Sequence, residues 1–145
     1  MKIDSIIIVI GILIATFFFY RGRNQKSIVV TSLLMVAYLL TLIPQAVVLG
    51  VSLVLLGLAL LMGLFYSFWE RNLETRKRTV LFVFIIPVFL VYLFSIFHWQ
   101  GFELLRYGQL ISVGAFMYML FNHKDYKNEM SFIILILAYS LTKLF

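Results

Sequence analysis

Six apolar stretches occupy most of this chain, and only short polar connections separate them. They run over residues 6–20, 28–43, 46–69, 80–97, 104–121 and 132–144. Hydrophobic residues make up 63% of the 145 residues, whereas soluble globular domains contain about 45–50%. A membrane-spanning helix needs about 20 mostly apolar residues. The sequence therefore predicts an all-α, polytopic integral membrane protein with six transmembrane helices, which form a single domain over residues 1–145.

The second and third stretches are separated only by Pro44 and Gln45. One continuous helix over both stretches would be about 60 Å long, which is about twice the thickness of the hydrocarbon core. Proline lacks a backbone N–H and disfavours the helical conformation of the residue before it, which is Ile43. We expect a tight turn that separates two spans. The alternative is one strongly kinked helix at the membrane interface.

Basic residues concentrate in three of the connections between the stretches. Cytoplasmic loops of membrane proteins carry an excess of Lys and Arg, so we expect these three connections in the cytoplasm and both termini on the outer side of the membrane. Six spans arranged as three hairpins satisfy this pattern, whereas an odd number would place one basic loop on the wrong side. Nine of the 12 Lys and Arg residues lie in these connections: Arg21, Arg23, Lys26, Arg71, Arg76, Lys77, Arg78, Lys124 and Lys127.

Small residues recur at helical spacing in the first, third and fifth stretches. Lipid tails are as apolar as leucine, so helices in a membrane associate through close backbone approach and hydrogen bonds. Packing inside the bundle is the expected role of these residues, and a glycine-lined conduction path is the alternative. The packing residues are Gly11, Ala15, Ala46, Gly50, Gly57, Gly108, Ser112 and Ala115.

Ionisable groups are scarce within the stretches, and the exception lies around the predicted outer turn at residues 98–103. Glu103, Arg106 and Gln109 follow at three-residue steps, which places them on one helix face where the first two can pair. A guanidinium below the membrane surface needs such a partner. The cluster is either an ion pair that supports packing or an outward-facing site for a ligand or partner chain. Its residues are Asp4, His98, Trp99, Glu103, Arg106 and Gln109.

The residue types argue against catalysis, a metal site and a cofactor. The chain contains no cysteine, which removes disulfides, thiolate nucleophiles and cysteine–zinc sites. His98 and His123 are predicted on opposite sides of the membrane and cannot share a metal ion. The basic loops are too short to hold a nucleotide, and no glycine-rich phosphate loop is present. The sequence favours a protein that is not an enzyme; a lipid-modifying enzyme using His98, Glu103 and Arg106 is the catalytic alternative.

Residues 94–101 read Phe-Ser-Ile-Phe-His-Trp-Gln-Gly. This segment resembles the Phe-Lys-Ile-x-His-Trp-Pro-Gly turn of the Bacteroidetes gliding-motor membrane subunit and related small membrane proteins, with Ser95 and Gln100 in place of the lysine and proline. In that family the turn joins two transmembrane helices on the periplasmic side. The resemblance covers one hairpin at most, and the family's long cytoplasmic tail is missing. It implies a bacterial inner-membrane setting and does not extend to a motor role.

Two functions are compatible with these features. The first is a non-catalytic accessory or structural subunit of a larger membrane complex, which contacts membrane lipids and other membrane-protein chains or copies of itself, and no nucleic acid. In such a subunit, the basic segment 71–78 either attracts anionic lipid headgroups or acts only as an orientation signal. The second is a channel or substrate-binding transport component for a neutral or aromatic solute, with polar groups in an otherwise apolar pocket. Those groups are Tyr38, Thr41, Tyr92, Tyr107, Gln109, Tyr118 and Tyr139.

Overall fold

The protein folds as a bundle of α-helices. The structure, a computed structural model, describes residues 3–20, 24–43, 45–70, 73–97 and 102–144, except for the side chains of residues 102–104. Within these ranges there are six helices and no strand, so the all-α prediction and the helix number are confirmed. The helices are α1 (Ile3–Phe19), α2 (Gln25–Thr41), α3 (Ala46–Trp69), α4 (Thr75–Phe97), α5 (Phe102–Phe121) and α6 (Met130–Leu144).

The apolar run around Pro44 is divided into two helices, as predicted. Helix α2 ends at Thr41, and the N–H groups of Leu42 and Ile43 donate back to the carbonyls of Leu39 and Leu40, respectively. Helix α3 begins at Ala46, after Gln45 in an extended conformation with φ −104° and ψ 131°. Pro44 itself lies outside the described residues. One continuous helix through this region is excluded.

Among the described residues, α3 and α4 are the helices long and apolar enough to cross a membrane. They contain 24 and 23 residues, and their most apolar segments reach a mean hydropathy of 2.7 and 2.9. Helices α1 and α2 contain 17 residues each and α6 contains 15, which corresponds to about 22–26 Å at 1.5 Å per residue. Length and composition therefore favour membrane association through α3 and α4, and the arrangement of six spans stays a prediction.

Helix α6 lies at the centre of the bundle. It packs against α1, α2, α4 and α5, and its Phe132 ring lies 5.7 Å from the ring of Tyr66 on α3. Residues 130–136 are all buried. A helix that is apolar on every face is stable when neighbours surround it, and α6 meets this condition because the other five helices enclose it.

Two of the three successive hairpins that the sequence suggested are packed pairs, α3 with α4 and α5 with α6, but neither is among the most extensive pairings. The most extensive pairings are α2 with α3, α1 with α6, and α4 with α5, whereas α1 barely contacts α2. Helix α1 approaches α6 closely at Gly11, where an added Cβ would lie only 2.7 Å from the Cβ of Ala138. Close backbone approach of this kind stabilises helix pairs in lipid, and it explains why the first helix packs against the last.

The predicted packing residues divide into two groups. Ala46 is exposed, and a Cβ added to Gly50 or Gly108 would have no neighbouring atom within 4 Å. These three positions therefore lie open instead of packing between the described helices. The other five lie at contacts with the bundle interior, where a Cβ on Gly57 would overlap the Tyr92 hydroxyl and Ala115 is half-buried. The five are Gly11, Ala15, Gly57, Ser112 and Ala115.

Helix α4 continues through Pro87. Proline cannot donate to the carbonyl four residues before it, which here is that of Val83. At the next residue, Ser112 Oγ on α5 donates to the carbonyl of Phe84 at 2.8 Å. This bond joins α4 to α5 one turn before the proline.

Candidate functional site

The connections that carry the basic residues meet at one end of the bundle, which we call the basic end (residues 24–26, 70, 73–78 and 122–129). At this end the side chain of Asn24 reaches Tyr66, and Tyr66 reaches Glu129. The guanidinium of Arg76 lies 5.3 Å from the ring centre of Tyr118. These contacts bring together the starts of α2, α4 and α6 and the ends of α3 and α5.

Tyr66 connects three helices through a hydrogen-bonded chain at the basic end. Its hydroxyl donates to Oε1 of Glu129 at 2.6 Å and accepts from Nδ2 of Asn24 at 3.1 Å. Tyr66 and Glu129 are both 4% exposed. A buried hydrogen bond to a carboxylate is stronger than a neutral one, because little water competes for it. The chain therefore fixes the start of α6 relative to α2 and α3.

Glu129 is a buried carboxylate with an altered acidity. Burial raises the pKa of Glu129 above its ordinary value, while the hydrogen bond from Tyr66 and the charge of Lys77 oppose this rise. Desolvation disfavours the ionised form of a carboxyl group. Ionised Glu129 thus depends on the Tyr66 hydroxyl for its stabilisation.

Glu70 is the second buried glutamate at the basic end. Its carboxylate accepts a hydrogen bond from Nζ of Lys26 at 2.8 Å, and its carbonyl accepts from Nη2 of Arg78 at 3.1 Å. Lys26 is 64% exposed, and ion pairs with an exposed partner contribute about 0–1 kcal/mol. The main effect of the Glu70 contacts is to orient the starts of α2 and α4 around the end of α3.

Hydroxyl groups continue these contacts along the interface between α2 and α6. Ser27 Oγ donates to the carbonyl of Asn128, and Thr31 Oγ1 lies 2.9 Å from Ser131 Oγ. Deeper in the bundle, the Tyr38 hydroxyl donates to the carbonyl of Leu135 at 2.7 Å. Hydrogen bonds between helices contribute about 0.6–2 kcal/mol each in membranes. They hold α2 against the central helix.

Two clefts open beside these contacts. The first lies between α2 and α3, has a volume of about 340 Å³, and is lined by Lys26, Val29, Val30, Met62, Phe65, Tyr66, Trp69 and Glu70. Because Lys26 pairs with Glu70, the charged rim of this cleft is close to neutral.

The second cleft, of about 400 Å³, lies between the end of α1 and the connection from α5 to α6. Its lining residues are Phe18, His123, Lys124, Lys127 and Met130.

The polar cluster predicted around residues 98–103 lies only partly within the described residues. His98 and Trp99 lie outside them, and so does the side chain of Glu103, which leaves its predicted pairing with Arg106 as a prediction. Arg106 donates from Nε and Nη2 to the carbonyl of Leu144 at 3.0 and 2.6 Å. It therefore caps the end of α6. Asp4 is exposed at the start of α1.

Gln109, the sixth member of that predicted cluster, points into the bundle. Its side chain is buried, and its Oε1 accepts a hydrogen bond from Ser140 Oγ on α6. Its Nε2 has no hydrogen-bond partner among the described residues. Gln109 thus joins α5 to α6 and does not share a surface site with exposed Asp4.

Two of the groups that the sequence suggested for a solute pocket are engaged in contacts between helices. The hydroxyls of Tyr38 and Tyr92 donate to the carbonyls of Leu135 and Leu53, both at 2.7 Å. Tyr107 is exposed on α5. The two buried hydroxyls serve helix pairing, since each donates to the backbone of a neighbouring helix.

Sequence reasoning did not single out Tyr66, Glu70 or Glu129. Tyr66 and Glu129 lie 63 positions apart, so no local spacing connects them. Both glutamates lie beside loops whose basic residues indicate topology. The available signal was position: Glu70 directly follows the apolar stretch 46–69, and Glu129 lies three residues before the stretch 132–144. Within the part of the chain that the structure describes, no group of three or more His, Asp or Glu residues is placed to hold a metal ion.

Comparison with known proteins adds no relative from which a role could be transferred. No family model, no curated protein and no solved structure matches this chain.

Proposed function

We propose that the chain crosses a bacterial inner membrane six times, with the basic end in the cytoplasm and both termini outside. The observation that supports this most is the distribution of polarity. Leu13, Val54, Phe65 and Leu110 are each more than half exposed on outer helix faces. Soluble monomers rarely expose large continuous apolar surfaces, whereas lipid-facing helix surfaces are apolar.

The enclosed polar groups support the same proposal. Ser112 and Ser140 are fully buried, and Tyr66 is 4% exposed. All three form hydrogen bonds to neighbouring helices. In lipid, such bonds and close backbone contacts replace the hydrophobic effect as the force between helices. The resemblance of residues 94–101 to a periplasmic turn agrees with the proposed orientation.

As its function we propose an accessory or structural subunit of a larger membrane complex. The axis of the bundle is filled by α6, whose residues 130–136 are all buried, so a helix occupies the place where a conduction path would run. Ala46 and Gly50 are four residues apart on the open face of α3. Small residues at this spacing allow a second helix to approach closely. The proposed partner is another membrane-protein chain or a second copy of this one.

Transport of a neutral or aromatic solute is the less well supported function. The buried hydroxyls of Tyr38 and Tyr92 already donate to backbone carbonyls, so neither can donate to a solute without breaking that bond.

The proposed topology is tested by labelling single cysteines, which needs no background substitution because the chain contains no cysteine. The exposed positions are Gln25 and Glu74 at the basic end, and Asp4 and Gln45 at the opposite end. A membrane-impermeant maleimide should label D4C and Q45C in intact spheroplasts, and Q25C and E74C only after the membrane is opened. Labelling of Q25C and Q45C from the same face would contradict the six-span topology.

The proposed role as a subunit is tested by native mass spectrometry of the protein purified from its own membrane in mild detergent. We expect a second membrane chain in fixed stoichiometry, and Gly50→Leu should reduce the bound fraction at least severalfold because it fills the open face of α3. Val51→Leu, also exposed on α3, is the matched control and should leave the fraction unchanged. A bound small solute without a second chain would instead favour transport.

A further inference from the structure

We propose that the second cleft, which we call the lysine cleft (Phe18, His123, Lys124, Lys127 and Met130), binds an anionic phospholipid. The phosphate of the lipid would lie at the two lysines, and its acyl chains along α1. This proposal rests on the proposed membrane location of the chain.

The lysine cleft carries a positive charge that its own lining does not neutralise. Lys124 and Lys127 are exposed, and neither forms an ion pair with a described residue. Asp125 lines an adjoining depression that shares His123 and Lys124 with the cleft, so the two lysines exceed the one carboxylate beside them. Basic pockets between helices at the cytoplasmic side of a membrane bind anionic lipid headgroups. The charge of the cleft is complementary to such a headgroup.

The carboxylate at the start of α6, that of Glu129, does not neutralise the lysines of the cleft. Glu129 is buried and accepts its hydrogen bond from Tyr66, on the α3 side of the central helix. The first cleft differs, because Glu70 neutralises its Lys26. A lipid with a net negative charge is therefore expected to prefer the lysine cleft over the first cleft.

The apolar part of the lysine cleft favours a lipid over a free phosphate ion. Phe18 is half-buried at the end of α1, and Met130 forms the opposite wall at the start of α6. Beyond Phe18 the outer face of α1 exposes Ile14 and Ile10. This surface extends from the lysines along the helix, in the direction that acyl chains take from a headgroup into the bilayer. A phosphate ion would leave it uncovered.

The proposal is tested with the full chain in detergent, titrated with palmitoyl-oleoyl phosphatidylglycerol and with the phosphatidylcholine of the same acyl chains. Native mass spectrometry gives the affinity for each lipid. We expect phosphatidylglycerol to bind more tightly than phosphatidylcholine. Lys124→Gln and Lys127→Gln should each weaken phosphatidylglycerol binding about fivefold, and the double variant should weaken it about 30-fold. One basic residue near an anionic lipid surface contributes about 1 kcal/mol, which corresponds to about a fivefold change in affinity. Binding of phosphatidylcholine should change little in all three variants.

The matched control is Arg76→Gln, which removes one exposed cation from the first turn of α4 at the basic end. It should leave phosphatidylglycerol binding unchanged, and thermal unfolding without added lipid reports whether each variant is folded. Equal affinity for the two lipids, or an effect of Arg76→Gln as large as that of Lys124→Gln, would overturn the proposal. Displacement of the lipid by inorganic phosphate at a similar affinity would overturn the lipid as occupant.

Failure of this proposal is distinguishable from failure of the proposed topology. Cysteine labelling as expected, together with equal lipid affinities, would reject the lipid site alone. Labelling that places the basic end and the opposite end on one side would reject the membrane arrangement on which the site depends.

Discussion

Replacing Tyr66 with phenylalanine should lower the free energy of unfolding by about 3 kcal/mol, the upper range for hydrogen bonds to buried charged groups. The variant keeps the ring that packs against Phe132 and removes only the hydroxyl. Glu129 then loses its hydrogen-bond donor, and the Asn24 amide loses its acceptor. Unfolding in mixed micelles of increasing denaturing detergent measures the change.

The cost of this substitution should depend on pH. The hydrogen bond from Tyr66 opposes the rise that burial causes in the pKa of Glu129, so its loss raises that pKa further. A carboxyl group with a raised pKa in the folded state favours the folded protein at low pH, and this contribution is lost as the pH rises through the folded pKa. The penalty of Tyr66→Phe should therefore grow from acidic to neutral pH.

Glu129→Gln supplies the control for this prediction, because its amide oxygen still accepts from Tyr66 but carries no charge. In this background, Tyr66→Phe should cost only about 1 kcal/mol, the value for a neutral hydrogen bond. The difference between the two costs is the coupling between the tyrosine and the charge. Equal costs in both backgrounds would show that the carboxylate does not depend on Tyr66.

Replacing Gly11 with alanine should also destabilise the bundle strongly, by about 2–3 kcal/mol, in the range typical of overpacking. The new Cβ would lie 2.7 Å from the Cβ of Ala138. Both atoms are bonded directly to helix backbones, so no side-chain rotation relieves the overlap and α1 must move away from α6. The same unfolding measurement tests this change.

Two further variants separate crowding from the intrinsic preference of alanine for helices. Gly50→Ala adds the same methyl group at a position with no atom within 4 Å, and it should be neutral or stabilise by up to about 1 kcal/mol. The double variant Gly11→Ala, Ala138→Gly moves the methyl group to the other helix and should recover most of the loss. If Gly11→Ala were as stable as Gly50→Ala, the close contact between α1 and α6 would be refuted.

The helices of this fold could be predicted from the sequence because their boundaries have local causes. Pro44 interrupts one apolar run, and clusters of charged residues interrupt the others. The boundaries of α3 agree with the predicted stretch at both ends, while α4 begins at Thr75 and not at residue 80. The difference arises because the basic residues Arg76–Arg78 continue the helix beyond its apolar part.

The packing order could not be predicted in the same way. In a chain whose stretches are apolar on most faces, no apolar stripe marks the side that faces a partner. The sequence identified Gly11 as a packing residue but did not specify its partner, and the pairing of α1 with α6 depends on residues far apart in the chain. For the same reason Gly50 looked like Gly11 in the sequence although it lies open in the structure.

The polar contacts at the basic end escaped prediction for a different physical reason. Charged groups in the middle of a membrane helix are costly and mark function, so the sequence directs attention to the interior of the spans. Tyr66, Glu70 and Glu129 lie at helix ends, where polar residues are common. Their burial results from the way α6 begins between α2 and α3, which only the tertiary structure specifies.

The position of α6 has a consequence for how the protein is made. Chains are synthesised from the N-terminus, so α1 to α5 emerge from the ribosome before the helix around which they are arranged. The surfaces of Gly11 and Thr31 that contact α6 stay without their partners until residues 130–144 follow. The earlier helices therefore reach these contacts only after residues 130–144 have been synthesised and have entered between them.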